Sequence, residues 1–142
     1  MVSEKEELKK FMKDVIHIMN YVIRDYIKNN LTELEMSHSL YDQYLWNAWN
    51  ETMSILTEDR INNEIDTIQE EALSQHGLTG PQLEWKLNVY YNIKDSFIRN
   101  PNKRSLTKLI DAIDGILDSL SRICEVFGAM KEIKDSLRHF LH

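Results

Sequence analysis

Apolar residues recur at three- and four-residue spacing along most of the chain. No run alternates at the two-residue period of a strand between turn signals. From Leu8 through Phe11, Met12, Val15, Ile16, Met19, Val22, Ile23, Tyr26 and Ile27 they cover about half of a helical wheel, which predicts a central helix. The capping box Ser3-x-x-Glu6 opens it and Asn29-Asn30 ends it. Thr32-x-x-Glu35 repeats the box, predicting a second helix with its apolar arc at Leu34, Leu40, Tyr41, Tyr44, Ala48 and Ile55. Thr57 before two acids starts a third, closed by Gly77; its narrow stripe of Ile61, Ile65, Ile68 and Ala72 places it at the periphery.

Thr79-Gly80-Pro81-Gln82 opens a fourth helix, which buries Leu83, Leu87, Tyr90, Ile93 and Phe97 and leaves Trp85 and Val89 off the main stripe. After Asn100-Pro101 the apolar spacing runs from Leu106 through Leu109, Ile113, Ile116, Leu120, Ile123, Phe127 and Met130 to Leu137. Unbroken, that helix is roughly 55 Å long at 1.5 Å per residue. The drift of its stripe implies a left-handed wrap around its neighbours, and Gly128 is the point where it can divide. The expectation is an all-α, single-domain bundle of four to five helices over residues 1–142, with a long C-terminal helix.

Composition agrees. Of 142 residues, 42% are hydrophobic and 28% charged, and four Gly with two Pro leave few helix breakers. The start, MVSEKEELKK, lacks the apolar core of a signal peptide and no apolar run approaches a membrane span, so a cytoplasmic protein without membrane contact is expected. Cys124 stands alone, which excludes an internal disulfide. The net charge of −6 is concentrated between residues 57 and 76, where six carboxylates face Arg60 alone. Arg99, Lys103, Arg104 and Lys108 form a basic cluster near Pro101, a small footprint on an acidic chain, so nucleic acid is not the expected partner.

Reactive chemistry finds little support. Glu35-x-x-His38 has the spacing of a di-iron half-site, but such bundles need two of these segments and two further Glu. The nearest second match, Asp14-x-x-His17, puts His17 on the face of Lys10, Lys13, Arg24 and Lys28, opposite the apolar arc. Asp111, Asp114, Asp118 and Glu125 share a face opposite the last apolar stripe and are read as a solvated acidic surface. His139-x-x-His142 in the final turn offers adventitious Zn or Ni binding at most. Cys124 borders the apolar side of its helix and behaves as a small hydrophobe. Neither a nucleophilic triad nor a Gly-rich phosphate loop can be assembled, so no catalytic residue, metal ligand or cofactor is expected.

His76-Gly77-Leu78-Thr79-Gly80-Pro81-Gln82-Leu83 resembles the segment that opens the DNA-binding half of MarR-type winged-helix regulators, where long helices also precede it. The resemblance covers those eight residues. The recognition helix and the strand pair with its wing have no counterpart here, since Leu106 to Leu141 reads as helix, so the fragment is read as a capping box and no family is assigned. Trp46, Trp49 and Met53 widen one edge of the second helix beyond what a single bundle contact needs. Either another helix of the domain covers them or they meet another chain. The leading expectation is a non-enzymatic bundle acting through a protein partner or as a homo-oligomer, with Trp46, Trp49 and Met53 as interface candidates. The alternatives are a small-ligand or metal-binding bundle and a helical DNA-binding regulator.

Overall fold

A computed structural model describes residues 3–141, apart from the side chains of Leu40, Gln43, Tyr44, Leu45, His139 and Phe140. Helix α1 comprises Glu4–His17, a π-helical stretch Ile18–Ile23 and Arg24–Asn29. Helix α2 comprises His38–Leu40, π-helical Tyr41–Trp46 and Asn47–Ile55. Then follow α3 (Glu58–Asp66), α4 (Glu70–Gln75), α5 (Gly80–Arg99), α6 (Lys103–Ile123), a 3₁₀ turn Glu125–Phe127 and α7 (Gly128–Leu141). The fold is all-α, with seven helices among the described residues, so the expected count of four to five is corrected. Two of the differences are breaks: the third expected helix divides at Thr67–Gln69, and the long C-terminal helix divides at Cys124, whose φ of −150° and ψ of 103° are extended.

The caps explain where helices start and stop. Ser3 accepts from the Glu6 N–H and Thr57 from the Arg60 N–H, as their spacing requires. Thr79 occupies its cap position without a side-chain bond, while Asn102 and Ser105 form a reciprocal box that opens α6. Gly77 (φ 70°) closes α4, with Leu78 N–H bonded to Leu73 O and Gly77 N–H to Ser74 O. The same pattern overturns the Thr32–Glu35 box. Met36 N–H bonds to Leu31 O and Glu35 N–H to Thr32 O, with Glu35 itself left-handed at φ 55°. Glu35 ends a helical turn there, and α2 begins at His38.

The π-helical stretches alter which residues face inward. A π turn inserts an extra residue, so positions beyond it shift by one relative to a regular helical wheel. In α2 Tyr41 is buried as expected, but beyond the insertion Trp49 and Leu56 are buried where the wheel put Ala48 and Ile55, both exposed. Leu40 and Tyr44 lie outside the described side chains. In α1 Leu8, Phe11, Met12 and Val15 are buried before the insertion, Ile23 and Ile27 after it, and Val22 and Tyr26 are half-buried. Helix α1 is central as expected, packing against α3 and α5, with Lys9 paired to Asp66 and Lys13 to Glu58.

Helices α5, α6 and α7 form an up-and-down layer. The break at Cys124 turns α7 back along α6, and the order of the ion pairs shows the antiparallel run: Asp111 with Arg138, Asp114 with Lys134, Asp118 with Lys131. Asp114 and Asp118, expected to be solvated, are therefore partly buried and partnered, which corrects that reading for them, while Asp111 is paired and still exposed. The hydrogen bond from Lys131 is the main reason the Asp118 carboxyl lies below its ordinary 3.8. That contribution is present above the unfolded-state value and is lost as the pH falls through the lower folded one. The Lys134 side chain is only 2% exposed, and a buried ammonium is tolerated only with a partner. Asp114→Ala, which leaves Lys134 only its neighbour Asp135 at 3.2 Å, should thus destabilise the fold by about 1.5–3 kcal/mol in chemical denaturation. Arg122→Ala, which breaks a pair whose Arg122 side chain is 65% exposed, should cost less than about 1 kcal/mol.

Candidate interaction surfaces

The aromatic residues of α2 meet α1 across the two π-helical stretches. The Trp49 indole N–H donates to Asn20 Oδ1 at 2.7 Å, and Arg24 Nη2 donates to Asn50 Oδ1 at 2.6 Å. The Arg24 guanidinium lies 3.3 Å from the centroid of the Trp46 ring, a cation–π stack. Trp49 is 1% exposed and is therefore covered within the chain. Trp46 and Met53 are half-buried, and with Tyr21, Arg24, Asp25 and Lys28 they rim a recess of about 470 Å³. The one-residue shift of the α2 face accounts for the position of Trp49, which a uniform helical wheel places toward the edge.

A second surface lies between the antiparallel α5 and α6. Trp85, Val89 and Ile93 follow one another at four-residue spacing on α5, opposite Lys108, Ala112 and Gly115 on α6, around a recess of about 520 Å³. Trp85 is 67% exposed, the most exposed Trp among the described residues. A Cβ added at Gly115 would meet nothing within 4 Å, so the furrow is open above that glycine. At Lys108 it joins a polar recess of about 570 Å³ lined by Ser96, Arg99, Asn100, Asn102, Arg104 and Ser105. Among the described residues no carboxylate pairs with Arg99, Lys103, Arg104 or Lys108. By contrast Lys9, Lys13, Lys94, Arg122, Lys131, Lys134 and Arg138 all have carboxylate partners.

The sequence had flagged both halves of this surface, Trp85 with Val89 as off-stripe residues and the basic cluster near Pro101. It did not join them. The hairpin at Asn100–Asn102 does so, because reversing the chain there sets residue 93 beside 108 and residue 89 beside 112.

Tyr90, Asp14 and Lys94 join α5 to α1. Tyr90 is fully buried and donates to Asp14 Oδ2 at 2.7 Å, while Lys94 pairs with the same carboxylate at 3.1 Å. Burial above all, then the adjacent carboxylate, drives the Tyr90 phenol far above its ordinary value, so it stays protonated and ties α5 to α1. Asp14 is thus a packing residue, and His17 is exposed and tilted against Tyr21. Burial, with the Glu64 carboxylate beside it, pushes the Cys124 thiol up to about 11. Glu35 and His38 are exposed on either side of the start of α2. Among the described residues there is no group of three or more His, Cys, Asp or Glu able to hold a metal ion, and His142 lies outside them.

Comparison of the chain with known protein families, with curated proteins and with solved structures finds no match. Its class therefore rests on its own structure: an all-helical fold in which no described helix is long and apolar enough to cross a membrane. The burial difference between the two tryptophans has a measurable consequence. Trp49→Ala should lose about 3–5 kcal/mol of folding stability in urea denaturation, whereas Trp85→Ala should stay within about 0.5 kcal/mol of the parent.

Proposed function

We propose that this chain is a non-catalytic helical module that acts by binding another protein molecule, with the α5–α6 furrow as its main contact surface. The observation that carries the reading is Trp85, a large aromatic side chain left 67% exposed beside the half-buried Val89 and Ile93. An exposed aromatic next to an open groove is the composition of an interface anchor, since a Trp can bury on the order of 200 Å² when it docks. Burial and pairing elsewhere support the same reading: Tyr90, Asp14, Lys94 and Cys124 are all engaged in packing. Trp46 and Met53, on the rim of the α1–α2 recess, provide a second and smaller contact in this reading.

Photo-crosslinking tests it. Benzoylphenylalanine in place of Trp85, in cells that produce the protein, should yield discrete protein adducts, and the same group in place of the exposed Arg60 should not. No adduct from residue 85, 89 or 112, or adducts of equal strength from residue 60, would contradict the reading.

A further inference from the structure

We infer that the occupant of the α5–α6 furrow is an acidic amphipathic helix of a different protein. This rests on the protein-binding reading above and specifies the partner's chemistry. Shape supplies the first argument. Two antiparallel helices with Ala112 and Gly115 on one side leave a straight channel between them, walled by Trp85, Val89 and Ile93. From Trp85 to Arg99 the channel runs roughly 21 Å at 1.5 Å per residue, the length of a four-turn helix. A helix laid in such a groove uses apolar anchors one turn apart, which matches the spacing of the α5 wall.

Charge supplies the second argument. The Trp85 end of the channel is mainly apolar, with Lys86 at its edge and Asp111 already paired to Arg138; the other end carries Arg99, Arg104 and Lys108, which have no carboxylate partner among the described residues. On a chain of net charge −6, three cations gathered at one end of a groove without a carboxylate partner among the described residues favour counter-charge from outside. The N-terminus of α6 at Lys103 adds positive potential at the same end. The fitting ligand therefore has an apolar stripe over its first turns and Asp or Glu over its last.

A second copy of this chain does not meet that description. Its acidic helix α3 already buries Ile61 and Ile65 within the chain. Among the described residues, the exposed large apolar side chains outside the furrow are Tyr21, Ile55 and Ile98, one on each of three helices.

The test uses the full chain and three fluorescein-labelled peptides of about four turns. The first carries Leu at four-residue spacing followed by Glu, the second has Lys replacing Glu, and the third keeps Glu but has Ser replacing Leu. By fluorescence anisotropy the first should bind at least about tenfold more tightly than either of the others. Trp85→Ser should weaken it by about tenfold or more. So should Gly115→Leu, which projects into the channel from a position where an added Cβ meets nothing within 4 Å and is the check if the first variant folds poorly. Arg99→Glu combined with Arg104→Glu should invert the preference toward the Lys peptide.

Equal binding of the Glu and Lys peptides would overturn the inference, as would binding indifferent to Trp85→Ser and Gly115→Leu. A Trp85-dependent dimer in sedimentation equilibrium would put a second copy in the channel and overturn it too. Binding of duplex DNA that Arg104→Glu abolishes and Trp85→Ser does not would do the same. If residue 85 crosslinks to a protein but the Glu peptide fails, the partner's chemistry is wrong and the protein-binding reading survives; if residue 85 yields no adduct, that reading itself fails.

Discussion

The arrangement of the C-terminal half depends on one buried cation. Lys134 has almost no exposed surface, and its ammonium is held by Asp114 on α6 together with its neighbour Asp135. Removing an ammonium from water costs several kcal/mol unless a partner and good geometry compensate, so this pair is satisfied only when α7 lies antiparallel on α6. The extended residue Cys124 and the 3₁₀ turn after it make that reversal possible, and buried Val126, Phe127 and Met130 seal the corner. With α7 on one flank of α6, the furrow lies on the adjoining flank, where Asp111, paired with Arg138 of α7, lines it beside Lys108, Ala112 and Gly115. The furrow is the surface that this packing leaves unfilled.

The N-terminal half is organised by a second constraint, the π-helical insertions in α1 and α2. Each rotates the residues that follow it, and the two stretches meet where Asn20 accepts from Trp49 and Arg24 stacks on Trp46. The rotation places Trp49 and Leu56 in the core and leaves Ala48 and Ile55 outside. A widened apolar edge in the sequence can therefore mark a change of helical register as readily as a contact surface.

Much of the fold was legible from residue types. Apolar spacing identified every segment as helical, and Ser3, Thr57, Gly77 and Asn100 marked ends that the structure keeps. What escaped has physical causes. A π insertion leaves no composition signal. The Thr32–Glu35 spacing serves a helix end as well as a helix start, and only the left-handed Glu35 distinguishes them. The break near Gly128 was legible as a possibility, since Cys124, Val126, Phe127 and Gly128 are all weak helix formers, but its position at Cys124 and the antiparallel pairing of Lys134 with Asp114 are not visible on a helical wheel. The furrow was half legible. Trp85 and the basic cluster stood out separately, but their junction at Lys108 exists only once α5 and α6 lie side by side.

The α5–α6 furrow is thus open to solvent at Trp85, whereas Trp49 is sealed in the core. Fluorine NMR of the chain labelled with 5-fluorotryptophan tests this most directly, because the three indoles report separate environments. Assigned by Trp85→Phe, the Trp85 resonance should show nearly the full H₂O-to-D₂O shift of free fluorotryptophan, while the Trp49 resonance, from a side chain 1% exposed, should show almost none. A Trp85 resonance as protected as that of Trp49 would mean that the furrow is already covered and would contradict the account.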